Sequence, residues 1–205
     1  MRGLSSSELL VDGGFRQGWW LVVEEEGGAA RILAGPFENR AEAGWAVGDP
    51  ASAGADGVRP VYGIRRPDGV LNRRPSPQDW AWLAHLAEQL ELLPEDWAED
   101  RSEEDPLTTL VVEVTAALSE AGLPLHDSAG SALGGACLAL EPAAGGIVVT
   151  WRQHDRMSVD VVHGSDADAA VQEVMNRAVA DLLLVRGFDV RPFGEGSASV
   201  VRPTR

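Results

Sequence analysis

A strongly acidic stretch divides this chain. Residues 95–105 read EDWAEDRSEED, and from Glu88 to Asp105 nine carboxylates stand against Arg101 alone. A segment so charged and so poor in apolar side chains builds no core of its own, so it is expected to connect two folded parts. The 205 residues suffice for two small domains, and an apolar content of 44 % is enough to fill them. The expected organisation is a loose arm over 1–14, a first domain over 15–97, an acidic linker over 98–105 and a second domain over 106–205.

Both parts read as α+β, each an antiparallel sheet packed against helices. In the first, GWWLVVEEE and ARILAGPF flank Gly27-Gly28 and predict a hairpin. A short helix over 39–47 follows, then a loop over 49–57. A strand, a Pro67-Asp68-Gly69 turn and a short return complete the sheet. Ser76, Pro77 and Asp79 form a helix start of the capping-box kind, and Pro94 stops a helix predicted over 77–93. In the second part, Asp105 caps a helix over 106–121 that Gly122 ends, with Leu107, Leu110, Val111, Val114 and Leu118 on one face. GACLALE, GIVVTWRQ and RMSVDVVH read as three strands of a meander, with a tight turn at His154-Asp155. A helix over 166–186 runs from Ser165 to Gly187, and FDVRPF and SASVVR are closing strands.

All seventeen cationic side chains are arginine, against thirty-two Asp and Glu, for a formal net charge of −15. Without lysine there is no Schiff-base or PLP enzyme and no Walker loop. The acid excess disfavours nucleic acid and favours basic protein partners. Five arginines cluster locally: Arg59, Arg65, Arg66, Arg73 and Arg74 face only Asp56 and Asp68, so a basic patch precedes the acidic run. An arginine-bearing sheet edge packed near that run accounts for the patch, as does presentation to a partner.

Histidine offers the only catalytic candidate. His154 and Asp155 sit together at a predicted turn between Arg152 and Arg156, as a general base and its orienting carboxylate would. Neighbours in a turn diverge, however, and no HExxH, HxH or CxxC spacing accompanies them, so no metal and no cofactor is expected. His163 shares the alternation of Met157, Val159 and Val161 and reads as a core-edge residue; His85 and His126 lack companions. The glycines of HDSAGSALGGAC and FGEGSAS lack the strand-to-helix context of a phosphate cradle. The lone Cys137 lies in an apolar run and reads as a buried hydrophobe, which fits a cytoplasmic protein. The start carries no run of signal-peptide type, and no segment reaches the roughly 20 apolar residues of a membrane span.

Tryptophan placement gives the sharpest geometric constraint. Trp19 and Trp20 are adjacent in a predicted strand and therefore point to opposite faces. Trp80 and Trp82 stand about 200° apart around a predicted helix. One small core does not hold all four, so each pair is expected to offer a ring to another surface.

The strings GWWLVV, AGPFENRAEAGWAV, DPLTTLVVEV and WRQHDRMSV together resemble a family of acidic, lysine-poor actinobacterial proteins of unassigned function, over most of the chain. The resemblance implies no activity. The passage from WWLVV through GPF to RAEA is also similar to peptidoglycan-binding SPOR-type domains, but the chain start lacks the export signal that such a role needs. The resulting expectation is a non-enzymatic, cytosolic interaction or regulatory protein. It binds a protein partner or a second copy through Trp19, Trp20, Trp80 and Trp82, with Arg65, Arg66, Arg73 and Arg74 beside them. An immunity-type inhibitor or DNA mimic is one alternative, and a hydrolase or transferase using His154 and Asp155 is another.

Overall fold

The computed structural model describes residues 10–11, 15–24, 30–47, 57–94, 97, 102, 104–127, 129, 133–158 and 165–203. The Gly27-Gly28 turn, the loop over 49–56, most of the arm and linker, and His163 lie outside these residues. The chain is α+β and divides into two compact units, Met1–Trp82 and Leu83–Arg205. In chain order the first unit holds β1 (Leu10–Val11), β2 (Phe15–Glu24), β3 (Ala30–Phe37), α1 (Arg40–Val47), β4 (Arg59–Arg65), β5 (Leu71–Arg73) and the start of α2 (Pro77–Leu90). The second holds α3 (Pro106–Glu120), β6 (Gly135–Glu141), β7 (Gly146–Arg152), α4 (Ser165–Val185), β8 (Asp189–Pro192) and β9 (Ser199–Arg202).

The division falls within α2, ahead of the acidic segment at which the sequence places it. Two side chains explain why. Gln89, buried near the end of α2, accepts the Leu125 N–H on its Oε1 at 2.8 Å. Trp97, inside the acidic run, is buried in the core of the second unit and donates its indole N–H to the Leu138 carbonyl at 3.3 Å. One aromatic ring is thus enough to anchor an otherwise charged segment. The last turn of α2 also ends at Leu90, three residues before its predicted end.

β2 organises the first sheet. On one edge it pairs with β1 at Arg16 and Phe15 and then with β3 from Trp19 to Glu24; on the other it pairs with β4, which carries β5. Its regular alternation against β4 sends Trp19 and Leu21 towards α1, where they pack with Ala43, Phe37 and Tyr62. Trp20 and Val22 occupy the reverse face and are also fully buried. β3 accommodates this through register shifts opposite Trp19 to Val22. Gly35 sits in that irregular stretch at φ 126°, where a Cβ would lie 2.8 Å from Trp20 Cε3 and from the Trp19 carbonyl oxygen. No L side chain fits both that dihedral and that gap. At its N-terminus α2 closes the reciprocal pair read from sequence: the Asp79 N–H donates to Ser76 Oγ at 3.2 Å, and the Ser76 N–H donates to Asp79 Oδ2 at 2.7 Å.

In the second unit the sheet order is β6-β7-β9-β8, antiparallel throughout. Helix α3 begins at the Asp105 cap, whose side chain accepts from the Leu107 N–H, and buries Leu110, Val111, Val114 and Leu118 as expected. The start of the expected third strand, RMSVDVVH, is corrected: Arg156–Ser158 belong to a 3₁₀ turn over Asp155–Ser158, the remaining residues of that strand lie outside the described residues, and the strand beside β7 is β9. The Met157 N–H donates to the His154 carbonyl at 2.8 Å, and the Arg156 N–H to His154 Nδ1 at 3.1 Å. Both donors are therefore withdrawn from any ladder at that point.

β9 pairs with β7 from Ile147 to Val149, so among the described residues the far end of β7 has no strand on that side. Helix α4 supplies backbone partners for Trp151 from Gln172 and Asn176, which share one face at four-residue spacing with Asp168. The Trp151 N–H donates to Asn176 Oδ1 at 2.5 Å, and Gln172 Nε2 donates to the Trp151 carbonyl. Gln153 Nε2 reaches Asp168 Oδ1 at 2.5 Å, and Asn176 Nδ2 reaches Ser197 Oγ at 2.7 Å. Buried backbone groups need such partners, and side-chain amides here do the work of a neighbouring strand.

Replacing Gly35 by alanine is expected to cost roughly 2–4 kcal/mol, from combined backbone strain and overpacking against Trp20. Urea unfolding followed by tryptophan fluorescence measures it, and an unchanged midpoint contradicts the packing described.

Candidate functional site

The four tryptophans singled out by sequence separate by exposure. Trp19 is 7 % and Trp20 1 % exposed, so both belong to the interior of the fold rather than to a partner-facing surface. The Trp19 ring meets Tyr62 edge-on at a centroid distance of 5.5 Å, and the Arg40 guanidinium lies 6.0 Å from its centre. Gln17 Nε2 fixes the Tyr62 hydroxyl at 2.9 Å. Trp20 donates its indole N–H to the Gly63 carbonyl at 3.3 Å, and Arg65 lies 5.8 Å from its ring. Trp82 is half-buried, whereas Trp80 is 61 % exposed. The most exposed ring is one the sequence reading passed over: Trp45, on α1, at 79 %. It lies two residues after Ala43, the one buried residue of that helix, and hence about 200° around the axis from it. That spacing was the available signal.

The arginine patch is largely engaged within its own unit. Arg59 and Arg73 both pair with Glu24 at the end of β2, Arg73 at 3.0 Å, and Arg66 pairs with Asp68 at 2.9 Å. The hydrogen bond from Arg73, reinforced by the charge of Arg59, holds the Glu24 carboxyl below its ordinary range. Arg65 and Arg74, both exposed, have no ion pair among the described residues, and Arg65 lies against the Trp20 ring. The Arg74 N–H donates to the Tyr62 carbonyl, which fixes the backbone from which that side chain projects. Hydrogen bonds from Ser76 lower the Asp79 pKa, aided by the nearby charge of Arg40, so the starts of α1 and α2 are electrostatic neighbours.

The division of the chain also divides its charge. Residues 1–82 carry nine arginines and eleven carboxylates, residues 83–205 eight and twenty-one. Nearly all of the net charge of −15 therefore belongs to the second unit, while Trp45 and Trp80 belong to the first.

His154 and Asp155 are not brought together as a dyad. His154 Nδ1 accepts the Arg156 N–H, which places the ring proton of a neutral imidazole on Nε2, and Asp155 faces Arg152 at 3.6 Å. This is the geometry of a closed turn rather than of a base held by its carboxylate. His126 presents Nδ1 to the Leu133 carbonyl at 3.1 Å and lines a cleft of about 50 Å³ with Leu92, Leu93, Pro94 and Cys137. Burial pushes the Cys137 thiol up, against smaller opposing effects of Arg152 and Thr150. Among the described residues no three His, Cys, Asp or Glu side chains group as metal ligands, and no helix is long and apolar enough to cross a membrane.

Comparison with protein-family models, curated proteins and solved structures found no match.

Cys137 is expected to alkylate with iodoacetamide more slowly at neutral pH in the native protein than in the urea-unfolded chain, because the thiolate is the reacting form. Equal rates in the two states would contradict its partly buried position.

Proposed function

We propose that this chain is a non-enzymatic, cytosolic interaction or regulatory protein that docks on a protein partner through Trp45 and Trp80. The observation carrying this reading is the pair of large rings left 79 % and 61 % exposed on the helices of the first unit, whose strand tryptophans are buried. Exposed tryptophans supply large apolar area with few rotatable bonds, which is why they recur as binding anchors. Arg74, without an ion pair among the described residues, and Asp79 add polar groups to the same unit. The acid excess of residues 83–205 favours a basic partner, because complementary charge speeds encounter and rejects anionic competitors.

The same acid excess supports a second reading, an immunity-type inhibitor or DNA mimic that occupies the DNA-binding face of another protein. In that case DNA competes for the partner and does not itself bind the chain.

Affinity capture from the host lysate, with the native chain and a Trp45→Ala/Trp80→Ala variant side by side, tests the proposal. The expected result is a basic protein retained by the native chain and lost from the variant. Identical captures by both would overturn the role of these rings.

A further inference from the structure

The outer face of α4 carries a pattern that its own unit does not use. Asn176, Val179 and Leu183 turn inward and are buried. Away from that face Val174, Leu184 and Val185 are 62 %, 51 % and 85 % exposed. A solvent-facing helix surface is ordinarily charged or polar, so exposed apolar side chains from the middle of this 21-residue helix to its end call for a partner. Val174, Arg177, Asp181 and Leu184 follow at spacings of three, four and three, the seam of two packed helices.

That seam reads the same in both directions: apolar, charged, charged, apolar, with opposite charges at the two central positions. We infer that α4 pairs antiparallel with α4 of a second copy of this chain, about a two-fold axis that crosses the outer face midway between Arg177 and Asp181. In that register Val174 meets the second copy's Leu184, and Arg177 meets the second copy's Asp181, each contact occurring twice, as a two-fold interface requires. A parallel pair would set Arg177 against Arg177 and Asp181 against Asp181, and like charges reject it. Arg177 already pairs along the helix with Glu173 at 2.9 Å, whereas Asp181 has no ion pair among the described residues and awaits a cation. An open groove of about 560 Å³, lined by Glu173, Arg177, Ala180 and the turn from Glu195 to Ser199, borders this edge of the helix. The seam is therefore flanked by a recess and not by a rim that would hold a second helix away.

One helix pair falls at or below the roughly 1,200 Å² lower end of specific interfaces, so the dimer is a micromolar one. The acid excess of the second unit is largely screened beyond the Debye length of about 8 Å at physiological salt, whereas the two Arg177–Asp181 pairs act within that length.

Sedimentation velocity of the full chain at physiological salt, from about 5 to 300 µM, tests the pairing across the affinity range of a small interface. The native chain is expected to show a monomer–dimer equilibrium. Arg177→Asp and Asp181→Arg, each alone, are expected to weaken it about tenfold or more, with unchanged far-UV circular dichroism. An equimolar mixture of the two variants restores complementary charges in both central layers, so native mass spectrometry should find one of each in the dimer. A native chain monomeric at every concentration overturns the inference. Single variants that dimerise like the native chain overturn it as well, and so does a mixture that stays monomeric.

Discussion

The first unit depends on β2 being buried on both faces. A strand sends adjacent side chains to opposite sides, so Trp19-Trp20 requires cover above and below the same few residues. α1, Tyr62 and Arg40 lie around Trp19 on one side; on the other, the backbone of Gly35 and Gly63 and the Arg65 guanidinium close around Trp20. The glycines are part of this cover, since the Trp20 ring fills the space that a side chain on Gly35 would need. Because α1 spends its inner face on Trp19 through Ala43, Trp45 is left outside. Interior and surface aromatics in this unit are two consequences of one packing arrangement.

The second unit solves a different problem, that of a sheet whose strands do not all run the same length. β9 covers only part of β7, and the remaining backbone groups are met by a polar stripe on α4. This fixes the rotation of α4 about its axis, because Gln172 and Asn176 point at the strand only in one orientation. The exposure of Val174, on the side away from Asn176, and of Leu184 on the flank is then set by default. The acidic charge gathers in this unit, and the exposed tryptophans in the other, so the two surfaces differ in chemistry.

Much of this architecture was legible in the residues. The α3 cap at Asp105, the reciprocal Ser76–Asp79 start of α2 and the two hairpins follow local rules, and all are present. The divergence of Trp19 and Trp20 was also readable; that both faces would be covered was not, because cover comes from residues distant in sequence. Glu24 as the shared acid of Arg59 and Arg73 was hidden for the same reason, being separated from them by 35 and 49 residues. RMSVDVVH had the alternation of a strand, but a histidine acceptor two residues before Arg156 closed its start, Arg156–Ser158, into a turn. Trp97 escaped notice because the acids around it set the average of its segment, while burial is decided ring by ring.

The central claim is that the strand tryptophans are structural and the helix tryptophans face a partner. Hydroxyl-radical footprinting of the native protein, read at single-residue resolution by mass spectrometry, addresses it most directly. The account predicts fast oxidation at Trp45 and Trp80 and slow oxidation at Trp19 and Trp20. Oxidation of Trp19 or Trp20 at the rate of Trp45 would contradict it.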